Sequence, residues 1–424
     1  MDVETGAILA MSTKPDFDAN DPYKVADEVK ATELEAIEDP DEKSKATSEA
    51  RYSQWRNRSI CDSYEPGSVY KCITAAAGLE EGVVTPDEMF NCTGSYEVLD
   101  RTFHCSHRAG HGVEDFTTSM MNSCNPIFIE VAQRLGADTF YKYFEAFGFA
   151  EKTGIDLPAE SAPVADVTYH SRKRLNAVAM ASSSFGQTFQ ASPIQIITAI
   201  NAIANDGKLM QPYVVGSMLD SEGNKVFETK PIQKRQVISK ETADILKVMM
   251  EKVVSGGTAK NAYVPGYRVA GKTGTTTDSK DLTFAGFTGY YAGGIWVGHD
   301  QPKVIRGDQS IHTKAWAKVM SKVHEGLPYK DFSRPSNVTT AWVCAESGKL
   351  AVLPTSIGFC LGMAFLLLID TLTPHMHLDE TIEGPKSNIK KNTMLVLAVV
   401  IHNIPEGMAV GVVYASWLQG NTSL

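Results

Sequence analysis

With 424 residues the chain has length for two or three domains and for a real buried core. Apolar residues make up 43% of it and charged ones 21%, a globular balance that excludes a disordered or fibrous chain. The net charge of −10, from 50 acidic against 40 basic side chains, argues against a protein that coats nucleic acid, because phosphate binding runs on Lys and Arg. Seven scattered cysteines do not make a disulfide scaffold.

Met1 leads into a polar turn, Asp2 to Gly6, and then a strand-like run, Ala7 to Met11; no signal peptide precedes them, and the opening reads as the middle of a domain. Residues 12–58 are polar and acidic. Pro15, Pro22 and Pro40 are expected to break any long helix there, leaving a surface excursion with one helix near Val25 to Ile37. Tyr64-Glu65-Pro66-Gly67 predicts a turn, and Ser68 to Glu80 a helix closed at Gly82. Pro126 is placed to start a helix running to Leu135. Ser192-Pro193 opens another that ends at Asn205-Asp206-Gly207, and Ser239 to Val254 is a fourth, closed by Gly256-Gly257. Tyr267 to Thr277 and Thr283 to Gly298 are rich in small and aromatic residues, as in antiparallel strands. Helices around late antiparallel strands predict an α+β body.

The tail has a different character. Residues 350–369 carry no charged side chain, and between 392 and 424 the only fully charged one is Glu406. A spanning helix needs about 20 mostly apolar residues. The tail therefore predicts two transmembrane helices, giving a soluble domain over 1–345 and a membrane segment over 350–424. Lys386, Lys390 and Lys391 would hold the connecting loop in the cytoplasm and leave both chain ends outside. A body with no signal sequence ahead of it is not expected to be exported, so the two inferences oppose each other.

Three polar clusters carry the chemistry. Ser68-Val69-Tyr70-Lys71 sets a hydroxyl and an amine one helical turn apart. A lysine held in a partly desolvated cleft loses basicity and can take the proton of a serine. Ser68 at a helix start also has free backbone N–H groups nearby to hold an oxyanion. The same spacing at Ser387 and Lys390 falls in the predicted loop of the tail and reads as a solvated loop. Ser123-Cys124-Asn125 adds a second hydroxyl and an amide before a helix. Lys272-Thr273-Gly274-Thr275 adds a cation and a hydroxyl on a predicted strand whose edge can pair with an extended peptide. Lys152-Thr153-Gly154 competes for that last role, but the turn-prone Ile155-Asp156-Leu157-Pro158 follows it. Together the three clusters could attack an amide, relay a proton to the leaving amine and hold a carboxylate.

In this order the motifs resemble those of the transpeptidase domain of penicillin-binding proteins, a serine DD-peptidase/β-lactamase-like α+β fold. Tyr64-Glu65-Pro66-Gly67-Ser68, Asn122-Ser123-Cys124-Asn125-Pro126 and Phe185-Gly186-Gln187 resemble the monofunctional class B members. After Gly274, the run Asp281 to Gly298 and the phrases Glu325-Gly326-Leu327-Pro328 and Pro335-Ser336-Asn337-Val338 look more like the bifunctional class A, as in a splice between relatives or an intermediate lineage. The resemblance covers about Asp2 to Leu350, without the family's usual anchor, pedestal domain and first catalytic helix. It implies Ser68 as acylated nucleophile, Lys71 as its base, Ser123 as proton relay and Asn125 as substrate ligand. Lys272 and Thr273 would bind the substrate carboxylate, Gly274 and Thr275 would also belong to the substrate-binding strand, and the N–H groups of Ser68 and Thr275 would form the oxyanion hole. The implied reaction cross-links peptidoglycan stem peptides without a cofactor, on the outer face of the cell membrane, with β-lactams acylating the same serine and wall-synthesis proteins as partners. No Glu-x-x-Leu-Asn segment is present to direct water onto the acyl group, so transfer to an amine is expected over hydrolysis.

Cys92, Cys105, His107 and His111 can be read as a finger-like zinc site, although their spacing is not that of a finger. The resemblance instead implies a disulfide or redox pair of Cys92 with Cys105. Cys124 reads as packing. In the tail, His402 and Glu406 stand one turn apart, with Asn403 beside them and Pro405 between. Residues 358–377 and 394–413, with His402-Asn403-Ile404-Pro405-Glu406-Gly407, resemble two membrane helices of ZIP-family zinc transporters. That resemblance implies His402, Asn403 and Glu406 as metal ligands of an incomplete zinc site that does not transport. Two alternatives to the enzyme stay open, an inactive chimeric chain and a metal-binding membrane protein.

Overall fold

The computed structural model describes residues 1–276, 279–301 and 303–332, together with Leu368, His375, Met376, Ile382, Glu383, Thr393 and Val396. Met1–Ser336 form one unit and Asn337–Leu424 a second. In the second, His375–Met376 pairs antiparallel with Ile382–Glu383. Apart from Leu368, Thr393 and Val396, the two predicted transmembrane helices lie outside the described residues, as do Ser387, Lys390, His402, Asn403 and Glu406. Among those described, no helix is long and apolar enough to cross a membrane.

At the centre of the first unit is an antiparallel sheet of Ala270–Thr275, Leu282–Phe287 and Ala292–Val297, with the middle strand paired on both sides. Its small residues answer to packing. A side chain on Gly271 or Gly286 would run into the Phe284 ring at 2.5 and 2.8 Å, so their absence lets that ring lie on the sheet. There it meets Trp316 of the Ile311–Val323 helix edge to face, ring centroids 5.0 Å apart. The helices Pro193–Ala204 and Lys240–Ser255 pack on the sheet from the other side, where Gly294 approaches Ile197. Backbone of Met1 to Val3 bonds Ala292 and Tyr290 at the outer strand. The Ala270–Thr275 strand has no further strand beside it among the described residues.

The Lys71–Glu80 helix is buried from Lys71 to Gly78, as an all-round apolar helix in a core must be. A 3₁₀ turn, Gly67–Tyr70, leads into it, so Ser68 sits on that turn rather than in the predicted α-helix. Asn125–Ala146 packs along it, continuing past the expected end at Leu135 through a kink at Gly136. Ser192 caps its helix through the reciprocal bonds of a capping box with Gln195.

Two expectations fail near the start. Ala7 to Met11 form no strand; Ala7 only bridges Tyr213. Residues 12–58 hold two helices, Glu28–Glu35 and the longer Pro40–Trp55. Pro40 opens that second helix instead of breaking it: a proline in the first turn has no N–H to leave unsatisfied, and Asp39 accepts from the N–H groups of Asp41 and Glu42.

Candidate active site

Alternation along the Ala270–Thr275 strand sorts the residues of the third motif. Lys272 pairs with Ala285 and shares its face, towards the helices, while Thr273 and Thr275 point to the opposite side. Gly274 then meets the turn that carries Ser68. A methyl group on Gly274 would come within 2.7 Å of the Pro66 carbonyl and 3.1 Å of Val69, so strand and turn touch through backbone. Gly67, at φ 57°, adopts a conformation that favours glycine and lies against Thr275 on one side. On the other side its N–H donates to Gly186 at 3.0 Å, and Glu65 accepts from the Thr188 N–H at 2.9 Å. The phrases around Pro66 and Gly186 thus interlock and fix the turn.

Ser123 is the meeting point. Its hydroxyl oxygen accepts from Lys71 Nζ at 3.1 Å and from Lys272 Nζ at 2.9 Å. Ser123 holds a positive φ of 57°, unusual for a residue with a side chain, at a cost on the order of 1–3 kcal/mol that the surrounding bonds must offset. Lys71 Nζ also donates to the Ser123 carbonyl at 2.6 Å and to Asn125 Oδ1 at 2.7 Å, while Asn125 Nδ2 donates to the His104 carbonyl at 3.0 Å. Both ends of the Asn125 amide are therefore engaged by protein, a use its spacing did not reveal. No hydrogen bond joins the Ser68 hydroxyl to Lys71 or to another described residue, and Ser68 lines the cavity.

Both lysines are fully buried. Burial removes water from each ammonium and pushes Lys272 down to about 8. Lys71 falls well below its ordinary range, first from burial and then from the nearby charge of Lys272.

Ser68, Ser123, Asn125, Thr273 and Thr275 all line one cavity, so the structure brings the three distant motifs together. Thr258, Gln309 and His312 line it as well and were missed in the sequence. The Thr258 hydroxyl lies 3.1 Å from that of Thr273. His312 is buried with both ring nitrogens lacking hydrogen-bond partners, and its pKa falls to about 4 because burial disfavours the cation. An isolated histidine and threonine in a helical or loop sequence carry no motif to find them by. The rejected Lys152-Thr153-Gly154 is a loop in which Glu160 accepts from the Thr153 hydroxyl and N–H, both at 2.6 Å. A second, more apolar groove, lined by Ile8, Met11, Ile194, Tyr291 and Val319, brings no lysine, histidine or carboxylate together.

The cysteines depart from expectation. Cys92 and Cys105 are both free, and the sulfurs of Cys92, Cys105 and Cys124 cluster with His111; Cys124 takes the place expected for His107. The His107 ring stacks on the His111 ring and is not part of that cluster.

The sequence model of the penicillin binding protein transpeptidase domain matches residues 1–321. Stage V sporulation protein D of Bacillus subtilis is 38% identical over 283 residues, 66% of this chain and 40% of that protein. Among solved structures, the D,D-transpeptidase domain of a peptidoglycan glycosyltransferase from Eggerthella lenta is similar with a TM-score of 0.64 and 27% identity, covering 77% of this chain and 78% of that one. Penicillin binding protein 3 of Mycobacterium tuberculosis, complexed with aztreonam, gives a TM-score of 0.56 and 26% identity over 66% and 67% of the two chains. The chain spans less than half the length of the curated relatives it matches. The match runs through all three polar motifs in order, and the chain belongs to the penicillin binding protein transpeptidase domain family.

Proposed function

We propose that the chain is a serine-type D,D-transpeptidase that cross-links peptidoglycan stem peptides ending in D-Ala-D-Ala and is acylated by β-lactams. The observation that carries this is the pair of buried amines, Lys71 and Lys272, converging on the Ser123 hydroxyl beside a strand edge that no other described strand covers. In this reading Lys71 is the neutral amine and Lys272 the cation. Lys71 takes the Ser68 proton as Ser68 Oγ attacks the penultimate carbonyl, and the N–H groups of Ser68 and Thr275 hold the oxyanion. One such donor is commonly worth a factor of about 10²–10³ in rate. The proton passes by way of Ser123 to the departing D-Ala nitrogen. The acyl group then transfers to an amine of a neighbouring stem, whose lost proton returns to Lys71. Lys272 and Thr273, with Gly274 leaving room for the chain, receive the substrate carboxylate, and the strand edge pairs with the stem peptide. Asn125 positions Lys71 and borders the substrate. The chemistry needs no cofactor.

A fluorescent penicillin followed by peptide mapping tests the reading. Label is expected on Ser68 and is lost in Ser68→Ala; a folded wild-type chain that takes no label removes the enzyme and leaves the inactive chimera. We also infer a catalytic body over 1–345 acting outside the cell membrane beside wall-synthesis partners. The tail over 350–424 is proposed as a partial ZIP-like membrane segment, for which the phrase His402 to Gly407 is the support. Zinc held there would be lost on replacing His402 and Glu406 by Ala, and unchanged stoichiometry would end that part of the proposal.

A further inference from the structure

Beneath the Ser123–Asn125 segment, four side chains from separate stretches of chain turn towards one point. Cys92 ends the Met89–Cys92 strand, Cys105 follows the Arg101–His104 strand, His111 precedes the Gly112–Asp115 strand, and Cys124 stands between the two polar residues of the second motif. Their ligand atoms all lie within 4.8 Å of one another. Cys105 Sγ is 3.5 Å from His111 Nδ1 and 4.0 Å from Cys124 Sγ. A tetrahedral zinc ion with Zn–S near 2.3 Å and Zn–N near 2.0 Å sets an S–N pair about 3.5 Å and an S–S pair about 3.8 Å apart, so the first of these pairs already fits and the second needs only a small contraction.

We propose that Cys92, Cys105, His111 and Cys124 form a structural zinc site that pins the Ser123–Asn125 segment in place. Three thiolates and an imidazole are a closed donor set for this soft-tolerant cation. Binding is balanced by release of the thiol protons: the ion takes the place of the proton on each of three sulfurs, and no electron moves.

The surrounding backbone is built for such a centre. Gly94 and Gly110 both have positive φ, and a side chain on either would strike carbonyl oxygen at 2.1 and 2.2 Å, from Arg108 and Cys92 respectively. Their absence lets the loop fold back and carry His111 to Cys92, while the Cys105 N–H donates to the Gly94 carbonyl at 2.9 Å. Backbone N–H groups of His107 and Asn125 point at the Cys105 sulfur and that of Ile127 at the Cys124 sulfur, donors suited to thiolates. The three cysteines are at most 2% exposed. Glu114 Oε1 is buried without a hydrogen-bond partner, 3.7 Å from His111 Nδ1, while Asn122 holds the other carboxylate oxygen at 2.6 Å. A cation beside that ring would compensate this isolated acceptor. A bond to Cys124 would also fix the residue between Ser123 and Asn125, whose bonds to Lys71 depend on it.

The inference concerns metal binding and needs no assumption about what Ser68 attacks. The full chain, reduced and stripped of metal, is titrated with Co²⁺ as a spectroscopic probe. One equivalent is expected to give sulfur-to-cobalt charge transfer that Zn²⁺ then abolishes. Cys105→Ser should weaken binding by more than about 100-fold, beyond the 10–100-fold typical of losing an outer-shell partner. His111→Cys should keep the ion and strengthen the sulfur band, which gives a positive result even if Cys105→Ser fails to fold. Zinc should also slow amide exchange at residues 122–126 in the wild type. Absence of the charge-transfer band from the reduced, folded wild type, or its persistence unchanged in folded Cys105→Ser, would overturn the site; the histidine and carboxylate of the tail bring no sulfur and cannot imitate it.

Discussion

Two amines on one hydroxyl cannot both be cations at low cost, and burial decides how they share the proton. Lys71 is driven further down than Lys272, so titration deprotonates Lys71 first and Lys272 at about 8. The acylation rate with penicillin should therefore rise with pH as Lys71 becomes neutral and fall near pH 8 as Lys272 loses the charge that holds the carboxylate. A rate flat across this range would refute the assignment. Stability, by contrast, rises with pH through this range. Each folded-state value lies below the unfolded one of about 10.4, so the contribution is fully present above that pH and is lost as pH falls through the folded value, for Lys272 about 8. Urea midpoints should rise from pH 7 to 9. The residue types and order of this site were legible from Ser68, Ser123 and Lys272, because chemistry ties a hydroxyl to an amine at fixed spacing. The inward turn of the Asn125 amide and the part played by Cys124 were not, since each depends on the His104–Gly112 loop folding back, a long-range event with no local pattern.

At the scale of elements, close backbone contact matters more than propensity. The strand bearing Lys272 reaches the turn bearing Ser68 only because Gly274 has no side chain. Gly274→Ala must move strand and turn apart, since the clashing Pro66 atom is backbone. It is expected to cut the penicillin acylation rate at least about tenfold, some 1.4 kcal/mol of barrier, while the chain stays folded by circular dichroism. An unchanged rate would show that the contact is not needed. Ser192→Ala removes one half of a capping box far from the chemistry and should cost about 1 kcal/mol in urea unfolding with no change in acylation. Caps of this kind were readable from Ser192-Pro193 and Ser239, where the signal lies within four residues. Asp39-Pro40 has the same grammar, yet a proline within a polar, acidic run looks like a stop. A proline stops a helix only where a preceding turn needs its N–H, and the capping Asp39 marks Pro40 as a first-turn residue.

Across the whole molecule, the question is how far the catalytic unit extends past its last long helix. Beyond that helix, Tyr267 donates to the carbonyls of His324 and Leu327, at 3.1 and 2.5 Å, and Arg268 Nη1 bonds Asp331 at 2.8 Å while its Nε bonds Glu251 at 2.8 Å. Phe332 is buried against Phe287 of the central strand, ring centroids 5.4 Å apart, with the Arg268 guanidinium over the Phe332 ring, 5.2 Å from its centroid. The sheet is thus closed by residues 324–332, past the 321 residues of the family match. Phe332→Ala empties a core position packed against the central strand, which pairs with the strand of Lys272, and such truncations cost about 3–5 kcal/mol. A chain cut after Ser336 should keep both its unfolding midpoint and its penicillin labelling, whereas the same cut chain with Phe332→Ala should unfold at markedly lower urea. If removal of residues 337–424 by itself abolishes labelling of a soluble, folded product, the catalytic unit needs more chain than the one ending at Ser336.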